Sequence, residues 1–364
     1  MKRRDFLTTA TSFSITAAWP GASFAQQRKF APAQGRWRTF EVVTRLDVAG
    51  ARGLTQAWVP LPSLDTGWQA SGSGAWTGNW RSAALASDAG GARMVHARFE
   101  SGEQAPWIEV TTVIRTQDRH HDWKRPHATT EDRASQALYL QPTDLLPTDG
   151  IVASTARSIV GSRKGDVDKV RAIYDWVVAN SYREPKVRGC GIGDIKAMLE
   201  TGNLGGKCAD INALFVGLAR ASGVPARDVY GIRVAPSAFG YKELGAGSSN
   251  ITGAQHCRAE AWLEGHGWVA MDPADVCKVM RQETAEWIKD PAHPVVAPVY
   301  AGLFGAWEGN WIAYNVAHDI ALPGSRAARI GFLMYPQAET GGERVDSLDP
   351  NTFRYAIRVR EITA

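Results

Sequence analysis

At 364 residues the chain exceeds one ordinary hydrophobic core, and its length predicts two or three domains of roughly 100 to 150 residues each. Hydrophobic residues at 44% and charged residues at 21% sit near globular averages and exclude wholesale disorder. The net charge of +4 falls to +2 when residues 1–25, with three basic and one acidic side chain, are removed, which excludes the clustered basic footprint of a nucleic-acid binder.

The first residues, Met1-Lys2-Arg3-Arg4-Asp5-Phe6-Leu7, lead into a short apolar stretch rich in Thr and Ser and then Ala22-Ser23-Phe24-Ala25. Adjacent arginines, a weak apolar region and a small residue before the expected cut resemble a twin-arginine export signal over residues 1–25. The resemblance implies a periplasmic or secreted protein. Phe6 to Trp19 is too short to cross roughly 30 Å of hydrocarbon, so no stable membrane insertion is expected after cleavage. Export of a folded chain means that the four cysteines meet a reducing compartment first, and disulfides are permitted but not required.

From Arg38, Phe40, Val42, Thr44, Leu46 and Val48 alternate with polar residues, and Ile108 to Ile114 repeats the pattern. This period of two marks half-buried strands and predicts a β-sandwich over 36–118. The Gly/Ser/Trp stretch from Ser71 to Trp80 between them reads as turns and loops. His120 to Arg133 reads as a linker. Its histidines have no partner at zinc-like spacing, and no metal is expected.

The middle of the chain changes rhythm. Val167, Val170, Ile173, Tyr174 and Val177 recur at helical spacing, a short helix is expected over Asp194–Glu200, and another opens at Cys208 with Ile211, Leu214, Phe215 and Leu218 on one face. Gly223 and Pro225 end it. Asp228–Val234, Arg258–Leu263 and Gly267–Asp272 then read as strands, so the class is α+β, with the helical and strand-rich unit over 135–285. A β-containing extension is predicted over 295–364 from Gly331–Tyr335 and the alternation of Phe353, Tyr355, Ile357 and Val359.

The chemistry concentrates in Gly205-Gly206-Lys207-Cys208-Ala209-Asp210. It sets a thiol in the first turn of an apolar helix, where unpaired N–H groups and the helix dipole favour thiolate and can receive an oxyanion. A thiolate nucleophile needs an imidazole to hold and return a proton. His256 begins one strand, Gly265 and Gly267 reverse the chain, and the returning strand ends at Asp272-Pro273, which brings a carboxylate back beside the ring.

The order Cys208, His256, Asp272, together with Glu260, Trp268 and the stretch from Cys208 to Arg227, resembles the transglutaminase-like superfamily over roughly residues 135–280. The resemblance implies a papain-related α+β core, a thioester acyl-enzyme and no obligatory cofactor. It implies Cys208 as nucleophile, His256 as general base and acid, and Asp272 as the residue that orients the ring. Hydrolysis of a peptide or isopeptide amide in a peptide or protein substrate is the expected reaction. A cross-linking transglutaminase and a non-catalytic periplasmic binding module that keeps the core are the alternatives.

Several finer expectations accompany this reading. Cys257-Arg258 stands where the superfamily commonly has Ala-Trp, so a thiol and a guanidinium are expected near the cleft. Arg258 and Lys207 would offer positive charge to a substrate anion, and Asn203 and Lys207 are nearby candidates for a second oxyanion donor. Cys190 and Cys257 are expected near each other, with free, partly buried thiols preferred to a disulfide between them. The aromatic region around Trp311 has two readings: it folds over the cleft and helps select substrate, or it packs a small C-terminal β unit.

Overall fold

The computed structural model describes residues 28–126 and 133–362. The expected export signal over 1–25 and His127 of the linker lie outside them. In chain order the strands begin with β1 (Arg38–Val48), β2 (Thr55–Leu61), β3 (Gln69–Gly78), β4 (Ser82–Ser87), β5 (Arg93–Arg98), β6 (Trp107–Thr116) and β7 (Arg119–His120). The middle carries α1 (Arg133–Leu138), α2 (Gly150–Val160), α3 (Asp166–Asn180), β8 (Tyr182–Arg183), α4 (Ile195–Thr201), β9 (Gly205–Gly206) and α5 (Cys208–Ala221). Then follow β10 (Ala226–Arg233), β11 (Gln255–Leu263), β12 (Gly267–Met271), α6 (Pro273–Gln282) and α7 (Ala297–Gly302). The last segment holds β13 (Ala306–Trp307), β14 (Trp311–Asn315), β15 (Gln337–Thr340), β16 (Glu343–Arg344) and β17 (Phe353–Ile362).

Two sheets, in the orders β17-β1-β6-β3 and β16-β15-β2-β5-β4, face each other as a sandwich. Alternate residues of β1 are buried, as the period of two requires, and Leu46, Val48, Val59, Val95, Ile108 and Phe353 join in one apolar cluster between the sheets. The Ser71–Trp80 stretch, expected as loop, is mostly strand. It pairs with β6 across a register shift between Ser71 and Gly74. Its glycines serve close approach: a Cβ on Gly72 would stand 2.8 Å from the Val113 carbonyl oxygen.

The second body is built on the sheet β12-β11-β10-β14. Helix α5 lies against β11 and β10 on one side and against α2, α3 and α6 on the other. Every residue from Cys208 to Arg220 is buried, so apolar side chains are not confined to one stripe of the helix, and its polar residues Asp210, Asn212 and Arg220 are hydrogen-bonded inside. Gly223, at φ +81°, turns the chain out of the helix in the left-handed region.

The residues from 295 onward are divided between the two bodies. Strand β14 pairs with β10, β13 with β7, β15 with β2 and β17 with β1. Gly331–Tyr335, expected as strand, is not one, and the ladder starts at Gln337. The other side of β17 holds the 249–252 loop: the Ile251 N–H donates to the Ile357 carbonyl at 2.9 Å, and the Val359 N–H to the Ser249 carbonyl at 2.9 Å.

Candidate active site

Cys208 is the first residue of α5, immediately after the N-cap Lys207. The Asp210 carboxylate fixes this end of the helix. It accepts N–H groups from Lys207, Ile192 and Gly193, each at 2.9 Å, and so clamps the 189–193 loop against the first turn. Only glycine fits at 191, because a Cβ there would lie 1.8 Å from an Asp210 oxygen and φ is +93°. The Cys190 carbonyl in turn accepts the Ala209 N–H at 2.9 Å.

The β11–β12 hairpin positions the imidazole. Its ladder runs from Leu263 opposite Gly267 to Ala259 opposite Met271, so Asp272 stands one residue past the last pair. There it caps α6, with Pro273 at the helix start, and its Oδ1 accepts the Asp275 N–H at 3.0 Å. Its Oδ2 lies 2.7 Å from His256 Nε2, which leaves Nδ1 to serve Cys208, and the two residues line the same cavity. The structure therefore brings Cys208, His256 and Asp272 together in the predicted order.

Three further side chains complete the arrangement and were not identified from the sequence. Asn212, one turn along α5 from Cys208, donates to the Cys257 carbonyl at 2.8 Å and to Asp272 Oδ1 at 3.2 Å. It ties nucleophile helix, imidazole strand and carboxylate into one rigid unit. Asp275 Oδ2 lies 3.4 Å from His256 Nε2, and its Oδ1 accepts from Arg233 Nη2 at 2.5 Å. Asp272-Pro273-Ala274-Asp275 did carry a signal: an N-cap followed by Pro predicts a helix, and a helix brings its first-turn carboxylate back toward the cap. Nothing local marked Arg233.

Charge in this buried site is strongly arranged. Contacts from Cys190 and Cys257, then His256, hold the Cys208 thiol well below its ordinary range against the cost of burial. Burial and Arg233 pull His256 down, but Asp275 and Asp272 outweigh them and raise it to about 9. The contact with Cys208 and burial push Cys190 up, and burial and the same neighbour push Cys257 up. Of the three adjacent thiols, Cys208 is the one whose surroundings favour negative charge, as those of His256 favour imidazolium.

The finer expectations fare unevenly. All four cysteines are free and buried, and Cys190 and Cys257 both lie near Cys208. Cys190 Sγ also faces the Gln255 carbonyl at 3.4 Å, and Cys257 Sγ faces Met334 Sδ at 4.0 Å. Arg258 is not open to substrate. It lies 3.7 Å from Asp272, donates to the Glu308 carbonyl at 3.1 Å and stacks on Trp311.

Asn203 is exposed and accepts from the Tyr182 hydroxyl and the Gly205 N–H, which tightens its own loop. Trp311 is 1% exposed and donates its indole N–H to the His256 carbonyl at 3.0 Å. It buttresses the imidazole strand from behind and cannot select substrate.

A cavity of about 280 Å³ opens onto Cys208 and His256, walled by Arg233 and Asp275 on one side and the 245–247 loop on another. Among the described residues, His256, Asp272 and Asp275 alone gather closely enough to hold a metal ion. They do not fit one. Arg233 already engages Asp275 and Arg258 already neighbours Asp272, so a cation would have to enter beside two guanidinium groups.

Comparison with known proteins agrees with this architecture. The family profile of the transglutaminase-like superfamily matches residues 153–273, which contain all three side chains. An uncharacterized protein of Haemophilus influenzae is 38% identical over 322 residues, 84% of this chain and 86% of the relative. A crystal structure described as a candidate cysteine protease from Cytophaga hutchinsonii superposes with a TM-score of 0.51 at 16% identity, over 91% of this chain and all of that one. The periplasmic domain of TgpA from Pseudomonas aeruginosa gives a TM-score of 0.33 at 15% identity, over 66% of this chain and 94% of that one, a likeness too loose to argue from. With its α+β core, its flanking β-sheets and a profile match spanning the thiol, imidazole and carboxylate, the chain belongs to the transglutaminase-like superfamily.

Proposed function

We propose that this chain is an exported thiol-dependent acyl-transfer enzyme that hydrolyses a peptide or isopeptide amide, with Cys208, His256 and Asp272 as its catalytic triad. The observation that carries the reading is the buried His256 ring, engaged by Asp272 at 2.7 Å through Nε2 and lining one open cavity together with Cys208. Cys208 Sγ attacks the amide carbonyl. The oxyanion forms beside the Cys208 N–H, since the Ala209 N–H is taken by the Cys190 carbonyl and those of Asp210 and Ile211 by the Lys207 carbonyl. The His256 imidazolium protonates the departing amine as the C–N bond breaks and the thioester remains. His256 then takes a proton from water, the hydroxide attacks the thioester, and the acid and free thiolate are released.

Water is favoured as acceptor because the cavity is open and lined largely by polar groups. The signal over 1–25 supports a place outside the cytoplasm. No helix among the described residues is long and apolar enough to cross a membrane. Iodoacetamide alkylation of each cysteine across pH, in wild type and His256→Ala, tests the thiolate and imidazolium pair. Rapid labelling of Cys208 below pH 7 that is lost in the variant supports the reading, whereas a rate like that of an ordinary thiol with pKa about 8.5 refutes it. Peptide digestion with and without an added primary amine then separates hydrolysis from cross-linking.

A further inference from the structure

The cavity at Cys208 and His256 is lined by three basic side chains, Arg183, Arg233 and Lys278, against one acidic side chain, Asp275. Two of the three cations are already occupied. Arg233 is paired with Asp275 at 2.5 Å and donates to the Leu244 carbonyl at 2.6 Å, with 4% of its side chain exposed. Lys278 donates to the Glu243 carbonyl at 2.7 Å and lies 3.3 Å from the Glu243 carboxylate.

Arg183 differs. Its one hydrogen-bonding partner among the described residues is the neutral Gln282 amide oxygen, 3.3 Å from Nε, and no described carboxylate lies within ion-pair reach. The topology brings it to the nucleophile. Strand β8 runs parallel to β9 with Arg183 opposite Gly206, two residues before Cys208. Lys207, between them in the chain, also has no ion-pair partner among the described residues. Burial, then the nearby Arg183 charge, lowers its ammonium, with Cys190, Cys208 and Asp210 acting against them.

An arginine held half-buried in a cleft without a carboxylate is poised for bidentate recognition of one, which a planar guanidinium favours over a point charge. We propose that Arg183, supported by Lys207, binds a carboxylate of the substrate next to the amide that Cys208 attacks, so that the substrate is an acidic peptide. This inference rests on the acyl-transfer reading, and it replaces Arg258, which faces away from substrate, with Arg183.

The test needs no known substrate. Cys208 is alkylated in parallel with iodoacetate, which carries the carboxylate, and iodoacetamide, its neutral counterpart, in wild type, Arg183→Met and Arg183→Lys. The iodoacetamide rate is the internal standard, so a misfolded variant is recognised by loss of labelling with both reagents. The His256 imidazolium favours iodoacetate in every form, and the ratio between variants isolates Arg183. The expected result is a ratio about 5- to 10-fold lower in Arg183→Met than in wild type, largely retained in Arg183→Lys and diminished by added salt.

Protection assays identify the carboxylate. An N-acetylglutamate α-amide that slows iodoacetamide labelling in wild type only assigns a side-chain carboxylate, and N-acetylglutamine doing so assigns a chain terminus. An unchanged ratio in Arg183→Met overturns the proposal while leaving acyl transfer standing. Cys208 reacting with iodoacetamide no faster than an ordinary thiol overturns acyl transfer itself.

Discussion

Replacing Asp272 with Asn removes the nearer of the two carboxylate charges that His256 Nε2 faces, and with it a neighbour of Arg258, while keeping the side chain's shape. Asn is as good an N-cap as Asp, and its amide oxygen can still accept the Asp275 N–H that Asp272 Oδ1 accepts at 3.0 Å, so α6 should start in the same place. The rise of His256 from 6.5 to about 9 corresponds to about 3 kcal/mol favouring imidazolium, or on the order of 300-fold in its protonation equilibrium. Asp275 shares that effect but is itself claimed by Arg233 at 2.5 Å, whereas Asp272 is closer to the ring, at 2.7 Å against 3.4 Å. Loss of the Asp272 charge and its hydrogen bond should therefore remove a large share of it, with Asp275 sustaining the rest. At about pH 8, between 6.5 and the raised value of about 9, iodoacetamide labelling of Cys208 is expected to fall several-fold, up to about 10-fold, in Asp272→Asn, because the ring is then largely neutral and the thiolate loses its counter-ion. Above about pH 9 the two proteins should converge, since wild-type His256 is then neutral as well. Superimposable rate profiles from pH 5 to 10 would refute the argument and show that Asp272 serves only as a helix cap.

Other outcomes follow from buried pairs. Because His256 is raised in the fold, the stability it contributes is fully present below about pH 6.5 and is lost as pH climbs through about 9, by up to about 3 kcal/mol; urea midpoints of wild type and His256→Gln across that window should converge at the alkaline end. Glu260 is 1% exposed and bonded to both Arg119 and Arg227, so Glu260→Gln should cost about 3 to 5 kcal/mol in denaturant unfolding by stranding two guanidinium groups. Trp311→Ala should cost about 3 to 5 kcal/mol as well, and a variant of normal stability with weakened substrate binding would restore the lid that its position rules out. Gly191→Ala should detach the 189–193 loop from Asp210 and slow Cys208 labelling, and an unchanged rate would show that the clamp does not shape the thiol's surroundings.

The chemistry was more legible in the sequence than the assembly that supports it. A thiol at a helix start and a hairpin ending in Asp-Pro are local patterns, and the geometry of α5, β11 and β12 follows from them. Asp272-Pro273 also announced α6, and with it Asp275, to a reading that carried the helix-start rule one element further. Arg233, Asn212 and Arg183 gave no such signal, because their partners come from distant strands and helices. Strand β3 was hidden for a related reason: its Gly and Ser residues have poor strand propensity, and pairing with β6 overrides that preference. Arg258 misled because charge in a sequence reads as solvated, whereas here an aspartate and two tryptophans enclose it.

The hold of β17 on the 249–252 loop bears on the chain's biogenesis. Asn250 and Gly253 belong to the wall of the cavity, and the bonds from Ile251 to Ile357 and from Val359 to Ser249 fix that wall to a strand made about a hundred residues later. A nascent chain that has already emerged past Asp272 possesses thiol, imidazole and carboxylate but lacks the strand that shapes the entrance beside them. Maturation of the cleft is thereby postponed until synthesis has passed β17, and a reactive thiolate is not presented with a finished binding surface while its own chain is still unfolded nearby.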